Sequence, residues 1–342
     1  MAKKLGIHFL LLAAMVMLNV LTAEGGNKMD KYEWLPTESS FSNFPMRIVT
    51  GDFIFNDGTS IYIPSSKIID NGWGAIGSTH IVGDKLKLLP AKIKIAWFSF
   101  AEDKFYSGVF TLPYGKICNL FEKGFQSPIT GKITTYERII VGMAPAGEMS
   151  IWLMGDGEVL LVANFKAHET IIDWKYVTEN TEFSRKTYIS RVLNSSLSKD
   201  QILELSLHGV PYELLDAYRK QYFWKPEVIG SKPTHLWLKT YNGECEYIDF
   251  IQSNVIHRNL RSVPKHIDIE WQDRFGKKYL GNLTFNENEL LHAYHKLSTG
   301  QVDHEMKLQI EINEKSFDLN ISLKDSKYIF HFNKAIVKVY ER

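Results

Sequence analysis

Polar and apolar residues alternate along residues 93–98, and this period of two is typical of a strand with one buried face. The apolar residues of 114–124 instead recur at helical spacing and stop at Gly124, which predicts a helix. Six elements follow in chain order: strands at 93–98 and 105–112, the helix at 114–124, and strands at 136–143, 148–154 and 158–165. We expect an antiparallel sheet with the helix packed on one face.

The same order of elements recurs later in the chain. It predicts strands at 267–272 and 278–285, a helix at 287–297, and strands at 305–312, 316–323 and 327–332. Matching residues lie 173 or 174 positions apart: Pro90 and Pro264, Trp97 and Trp271, Tyr106 and Tyr279, and Gly108 and Gly281. The expected fold class is α+β, with two related antiparallel-sheet-plus-helix units, each strand-strand-helix-strand-strand-strand, that arose by duplication.

A helical bridge is predicted between the two units. Ser198 and Gln201 have the spacing of a capping box at the start of one helix, and Pro211 begins a second helix that runs to about Tyr222. Strands at 46–55 and 60–63 and a glycine-rich loop at 71–74 extend the first unit toward the N-terminus. The predicted domains are a signal peptide at 1–23, a first unit at 24–185, the bridge at 186–230 and a second unit at 231–342.

The first 23 residues have the three parts of a secretory signal peptide. Lys3 and Lys4 supply positive charge, residues 7–20 are mostly apolar, and Ala23 is a small residue at the expected cleavage point. The apolar stretch is shorter than the ~20 residues that a transmembrane helix needs. We expect cleavage and a soluble, exported chain without a transmembrane segment, and an uncleaved N-terminal anchor is the alternative.

Charge and cysteine content narrow the environment and the partners. The chain has 40 basic and 39 acidic residues and no basic block, which argues against nucleic acid as a partner. Cys118 and Cys245 are the two cysteines. An oxidising compartment permits a disulfide between them, and two buried free thiols are the alternative.

Catalytic and metal-binding motifs are not evident. Glu289 and His292 have the Glu-x-x-His spacing of a metal-ligand pair on one helix, but the first unit's helix offers no matching ligands. His295 lies on a different side of the same helix. We interpret these three residues as a solvated helix face, and we predict no metal, no cofactor and no catalytic residue.

Two glycine-rich segments and the tryptophans are candidate binding elements. Gly155-Asp156-Gly157 predicts a hairpin turn, because it has too few carboxylates for a calcium loop. Residues 142–147 predict a tight connection between strands, with a ligand-contacting loop as the alternative. Most tryptophans are core candidates, whereas Trp73 and Trp224 fall in a loop and in the bridge and are candidates for anchoring a partner.

Several motifs resemble one protein family. They are Tyr32-Glu33-Trp34-Leu35-Pro36, Gly72-Trp73-Gly74, Leu89-Pro90-Ala91-Lys92, residues 105–113, residues 140–153 and Val263-Pro264-Lys265-His266. With these motifs the chain resembles the bacterial domain of unknown function 2931 family over most of its mature length. The resemblance implies a protein of the Gram-negative envelope. Many members carry a lipidated cysteine after the signal peptide, but Glu24 stands at that position here, so we expect a periplasmic chain without a lipid anchor.

The resemblance also implies a function, because some members accompany type VI secretion toxins. We therefore expect a non-enzymatic periplasmic binding protein, an immunity protein whose partner is a secreted effector or another envelope protein. An envelope hydrolase or carbohydrate-active enzyme with an unrecognised site is the alternative. A structural or assembly role in the envelope is a third possibility.

Overall fold

A computed structural model describes residues 30–65, 67–179, 182–252, 259–298, 306–313 and 318–342, and the predicted signal peptide at 1–23 lies outside them. Within these residues the chain forms five α-helices and 23 strands. The helices are α1 (Tyr114–Lys123), α2 (Arg185–Ser196), α3 (Lys199–His208), α4 (Tyr212–Arg219) and α5 (Glu287–Ser298). None of these helices is long and apolar enough to cross a membrane.

The strands alternate with the helices along the chain. They are β1 (Tyr32–Glu33), β2 (Leu35–Ser40), β3 (Met46–Ile54), β4 (Ser60–Tyr62), β5 (Leu86–Lys87), β6 (Lys92–Ser99), β7 (Lys104–Thr111), β8 (Phe125–Gln126), β9 (Ile133–Thr134), β10 (Arg138–Met143), β11 (Glu148–Gly155), β12 (Glu158–Lys166), β13 (His168–Thr170), β14 (Gln221–Ile229), β15 (Lys232–Thr240), β16 (Cys245–Asp249), β17 (Asn259–Ser262), β18 (Pro264–Gln272), β19 (Lys278–Thr284), β20 (Met306–Ile312), β21 (Leu319–Lys324), β22 (Ile329–His331) and β23 (Ile336–Glu341).

Three large sheets organise these strands. The central sheet has nine strands in the order β2-β10-β11-β12-β16-β15-β18-β19-β23. Two five-stranded sheets have the orders β13-β7-β6-β3-β4 and β17-β14-β20-β21-β22. Neighbouring strands in them are antiparallel, except that β2 is parallel to β10 and β14 is parallel to β20. The predicted α+β class with antiparallel sheets is therefore confirmed.

The core is a large apolar cluster that collects side chains from both halves of the chain. Trp97 on β6 and Trp271 on β18 are both buried in it, on the strand face that the alternation predicts. A second, smaller cluster joins Phe98 and Phe105 to Ile189 on α2. Helix α2 therefore covers the outer face of the first five-stranded sheet.

The bridge is helical over residues 185–219 and extended beyond them. Helix α3 begins with the predicted capping box, in which the Ser198 hydroxyl accepts from the Gln201 N–H and the Gln201 side chain accepts from the Ser198 N–H. Helix α4 ends at Arg219, three residues before the predicted end at Tyr222. From Gln221 the side chains alternate between exposed and buried positions, and the chain pairs with β20 as a strand.

The structure corrects the prediction for Trp224 and decides between the two alternatives for the cysteines. Trp224 is 0% exposed, because it lies on the inward face of β14, so it does not anchor a partner. The disulfide between Cys118 and Cys245 is not formed, and both residues are free thiols. Cys118 lies half-buried on helix α1, in the first half of the chain, and Cys245 lies buried on strand β16, in the second half.

Candidate functional site

The outer face of the central sheet is open in the second half of the chain. Along β15, Leu236 and Leu238 are buried in the core, whereas His235, Trp237 and Lys239 lie on the opposite face. His235 and Trp237 are half-buried and Lys239 is exposed. We call the outward side chains of β15, β16, β18 and β19, together with Arg342, the open face.

Three aromatic rings form one group on the open face. Trp237 and Tyr247 are cross-strand partners on β15 and β16, and their ring centroids are 5.0 Å apart. His235 stacks on Tyr247 at 5.7 Å with an angle of 21° between the ring planes. Trp237 and Tyr247 belong to neither buried apolar cluster. The aromatic trio is thus held by its strands and remains half-exposed.

A row of ion pairs lies next to the aromatic trio on β18. Glu270 accepts from the His235 Nδ1 position at 3.1 Å and from the Arg342 guanidinium. Asp268 lies 2.8 Å from His266 Nε2 and accepts from Asn282 Nδ2 at 2.5 Å. Each carboxylate is therefore paired with cationic or hydrogen-bonding groups of the same face.

The pairing decides what Asp268 can do chemically. Burial raises the pKa of Asp268, but the hydrogen bonds and charge of His266 and the bond from Asn282 outweigh burial and hold this pKa below its ordinary value. A general acid at neutral pH needs a raised pKa instead. Asp268 is suited to bind a partner as an ionised group and is not suited to donate a proton.

A groove of about 370 Å³ runs across the open face between Trp237 and Arg342. Leu280 contributes an apolar wall, and Lys239 and Asp268 contribute charged walls. A groove that combines an aromatic ring, an apolar wall and a few charges can receive one or two inserted side chains.

Two half-buried carboxylates attach β16, and with it the aromatic trio, to the first half of the chain. Glu158 Oε1 accepts from the Tyr247 N–H at 2.8 Å, and Glu244 Oε1 accepts from the Leu161 N–H at 3.1 Å. Strands β12 and β16 otherwise meet at the single pair Val159 and Cys245. Burial raises the pKa of Glu158 to about 7 and that of the Cys245 thiol to about 12.

The raised pKa of Glu158 predicts a pH-dependent stability. The folded protein holds a proton at Glu158 up to about pH 7, whereas the unfolded chain loses it near pH 4.5. The contribution of this group is therefore fully present below about pH 4 and is lost as the pH rises through 7. We expect Glu158→Gln to gain stability relative to wild type by about 2 kcal/mol between pH 5 and pH 8.

Urea denaturation of both proteins at the two pH values measures this difference. A pH profile of Glu158→Gln that runs parallel to that of wild type would contradict the raised pKa.

Trp73 lies at a junction between the two halves of the chain. Its ring is half-buried and meets Trp152 edge to face, with centroids 4.9 Å apart. Trp152 Nε1 donates to Asn242 O at 3.0 Å, and the Arg219 guanidinium lies 5.8 Å from the Trp73 ring centroid. The other binding candidate of the sequence thus makes its contacts within its own chain. We call this group the tryptophan junction.

The remaining sequence candidates have structural roles. Glu289 accepts from the N–H groups of Asn333 and Lys334, both at 3.1 Å, and so fixes the chain after β22. His292 packs near the Phe330 ring, and the described residues contain no group of ligands that could hold a metal ion. Asp156 and the glycine after it, both with positive φ, form the two-residue turn of the β11–β12 hairpin.

The predicted loop at 142–147 is a tight connection with a polar anchor. Ala146 has a positive φ of 59°, and its N–H donates to Glu102 Oε1 at 2.9 Å. The same oxygen accepts from the hydroxyls of Tyr106 at 2.9 Å and Tyr212 at 3.1 Å. Glu102 therefore ties this loop to β7 and to helix α4.

The open face itself is absent from the sequence predictions. Trp237 is among the tryptophans interpreted as core, and no strand is predicted for residues 232–240. The available signal is the alternation in His235-Leu236-Trp237-Leu238-Lys239, which places Trp237 on the side of the two polar residues.

Comparison with known proteins gives one match. A family model described as "Protein of unknown function (DUF2931)" matches residues 22–213. No curated protein and no solved structure matches the chain.

Proposed function

The chain belongs to the DUF2931 family, and from this premise we propose that it is a non-enzymatic binding protein that recognises a protein partner with its open face. The observation that carries the proposal is the half-exposed aromatic trio, with Arg342 beside it. Tryptophan, tyrosine and arginine are the residues that most often dominate the binding energy of protein interfaces. Here strands hold them in place, so little conformational entropy is lost on binding.

The charges of the open face describe the partner. Asp268 and Glu270 alternate with Lys239 and Arg342, so the face has no dominant sign of charge. A complementary protein surface therefore presents both acidic and basic side chains around an apolar projection that fits the groove. A nucleic acid or another polyanion would meet Asp268 and Glu270 and be repelled.

The finer architecture, two duplicated units, is part of the same proposal, and the strand pairing supports it. In the first half β2 is parallel to β10 and β3 is antiparallel to β6, and in the second half β14 is parallel to β20 and β15 is antiparallel to β18. Trp97 faces Ile48 and Trp271 faces Pro233, and a β-bulge follows directly after each of these pairs. A bulge at the same step in both halves is a specific correspondence.

Two buried tryptophans make similar contacts in the two halves, with the acceptor of the indole N–H one residue apart. Trp34 Nε1 donates to Leu88 O at 3.1 Å, and Lys87 Nζ donates to Trp34 O at 2.7 Å. Trp224 Nε1 donates to Arg261 O at 3.3 Å, and Arg261 Nη1 donates to Trp224 O at 3.0 Å. Each cation also lies over the indole ring, at 5.6 Å and 5.9 Å from the centroid. Lys87 and Arg261 have the repeat spacing, which supports a common origin.

The duplication gives a reason why the open face is found in the second unit. In the first unit the corresponding sheet face carries the cross-strand pair Phe98 and Phe105, which helix α2 covers. The pair at the equivalent positions of the second unit is Gln272 and Lys278. Polar side chains at these positions remove the driving force for an intramolecular cover, so the sheet face is left available to a partner.

The resemblance to a family with members beside type VI secretion toxins supports a more specific role. We propose that the partner is an effector that reaches the periplasm and that binding neutralises it. The partner to test first is the product of the gene next to the one that encodes this chain. Cells that express the chain with its signal segment should survive that protein in the periplasm.

The experiment that tests the open face is a binding measurement with Trp237→Ala/Tyr247→Ala. We expect the affinity for the adjacent gene's product to fall about 100-fold or more, since each such residue in an interface centre contributes roughly 2 kcal/mol. The control is Tyr62→Ala/Tyr176→Ala, which removes two exposed aromatic rings outside the open face. Binding that both double variants retain would contradict the assignment of the open face, and absence of binding by wild type would contradict the choice of partner.

A further inference from the structure

We propose that the first unit contains a second binding site, a carboxylate site centred on Arg138, which is separate from the open face. Arg138 is the first residue of β10 and lines a pocket of about 630 Å³. Residues 33–35 and residues 134–137 line the pocket on two sides, and the segment that contains Lys85 and Lys87 lines it on a third. The pocket volume is in the range of sites for small ligands or for single inserted side chains.

The guanidinium of Arg138 forms no ion pair with a described residue, although Glu33, Asp84 and Glu137 line the same pocket. Its Nε and Nη1 atoms are shielded from solvent and make no hydrogen bond, and no carboxylate lies within ion-pair distance. The two lysines of the pocket are satisfied, because Lys85 pairs with Glu33 at 3.3 Å and Lys87 Nζ donates to Trp34 O at 2.7 Å. A shielded cation without a partner is unfavourable, and an anion that enters the pocket relieves this.

The second unit has a cation at the position equivalent to Arg138. Arg138 pairs with Leu35 in the strand ladder, one residue after Trp34, and Lys307 pairs with Lys225, one residue after Trp224. Arg138 and Lys307 are therefore equivalent positions.

Lys307 has a carboxylate of its own, which Arg138 lacks. Lys307 Nζ bonds to Glu227 at 2.9 Å, and the same carboxylate pairs with Lys324 at 2.7 Å. The first-unit residue equivalent to Glu227 is Thr37, three positions after Trp34. Its hydroxyl is already used, because it donates to Ser78 O and accepts from the Gly77 N–H. The first unit thus keeps the cation and has replaced its carboxylate with a residue that binds a loop.

The geometry points to a singly charged carboxylate as the ligand. A carboxylate matches the planar guanidinium with two parallel hydrogen bonds, and Arg138 is among the residues that line the pocket. Glu33, Asp84 and Glu137 also line the pocket, so a doubly charged phosphate meets more repulsion than a carboxylate does. A free organic acid and the C-terminus of a peptide share this chemistry.

Isothermal titration and thermal unfolding of the full chain test the site with defined probes. The probes are acetate, propionate, inorganic phosphate, a short neutral peptide with a free C-terminus, and the same peptide amidated. We expect saturable binding of at least one carboxylate probe, a rise of the melting temperature with that probe, and at least tenfold weaker binding by Arg138→Gln. Preference for propionate over the peptides identifies a free acid, and preference for the free-acid peptide over its amide identifies a chain terminus.

Lys307→Gln is the matched control, because it removes the equivalent cation of the second unit. It should leave carboxylate binding unchanged and lower the melting temperature, since Glu227 loses a partner. Arg138→Gln should keep or raise the melting temperature of the ligand-free protein, because it removes an unpaired charge. The proposal is overturned if no carboxylate probe binds, if phosphate binds as well as the carboxylates do, or if Arg138→Gln and Lys307→Gln weaken binding equally.

Discussion

Trp224→Ala is expected to lower the free energy of unfolding by about 3–5 kcal/mol, the usual effect of removing a fully buried tryptophan. The indole is 0% exposed and packs edge to face on Tyr294 of helix α5 at 5.6 Å. Its removal leaves a cavity and also removes the hydrogen bond to Arg261 O and the ring under the Arg261 guanidinium. Domains of this kind have a total stability of about 5–15 kcal/mol, so the loss is a large fraction of the whole.

Urea denaturation followed by far-UV circular dichroism measures this effect, since it does not depend on tryptophan fluorescence. Trp34→Ala is the parallel variant, and on the proposed duplication it should lose a similar amount. Trp237→Ala on the open face is the control and should lose less than about 1.5 kcal/mol, because that ring is only half-buried and belongs to neither buried apolar cluster. A small loss in Trp224→Ala, comparable to that in Trp237→Ala, would contradict the burial of Trp224.

The sequence predicted Trp224 as a partner anchor and Trp237 as a core residue, whereas the structure buries Trp224 and leaves Trp237 half-buried on the open face. For Trp224 the reason lies in the end of the helical bridge. Pro211 begins a helix as predicted. The sequence prediction continued this helix to about Tyr222, and it therefore put Trp224 in the bridge, where it was expected to be exposed. The helix stops at Arg219 because the next residues alternate between outward and inward positions and pair with β20. A pairing partner 82 residues further along the chain is tertiary information that a local pattern does not contain.

Elements with a clear period and a turn residue at their ends were predicted well. Strands β6, β7, β10, β11 and β12 and helices α1 and α5 lie within about two residues of their predicted ranges. Strands β2, β15, β16 and β23 were not predicted. Strand β2 shows the reason, because its residues 37–40 are polar and yet 0% exposed, so no alternation marks it. They are buried because β10 and the segment around Ser78 cover them.

The open face could not be predicted from the sequence for a similar reason. Trp237, Tyr247 and Arg342 are far apart in sequence, and strand register alone brings them to one face. Arg138 shows the same limit, since its lack of a partner is visible only when the ladder aligns it with Lys307. The family resemblance and the missing catalytic motifs therefore predicted a binding protein, whereas the surface proposed for binding follows from the topology.

The tryptophan junction gives a structural meaning to the Gly72-Trp73-Gly74 motif. Gly74 has a positive φ of 71°, and Gly243, in the turn between β15 and β16, has a positive φ of 86°. The two backbones meet directly: a Cβ atom at Gly74 would lie 2.5 Å from Gly243 O and 2.9 Å from Gly243 Cα. This contact lets the Trp73 ring reach Trp152, and Trp152 Nε1 in turn binds Asn242 O. Glycine is needed here for both conformation and space.

Gly74→Ala is therefore expected to destabilise the protein by about 2–5 kcal/mol, of which about 1–2 kcal/mol is the left-handed backbone and the rest is the overlap with Gly243. Gly58→Ala is the matched control, because Gly58 has a similar φ of 85° and nothing lies within 4 Å of its added Cβ. It should lose only the backbone part, so the difference between the two variants in urea denaturation isolates the contact between the halves. The near-UV circular dichroism of Gly74→Ala should also weaken, since the overlap separates Trp73 from Trp152. Equal losses in the two variants would mean that the halves can move apart at this point without penalty, and the open face would then be carried by a unit that is only loosely attached to the first.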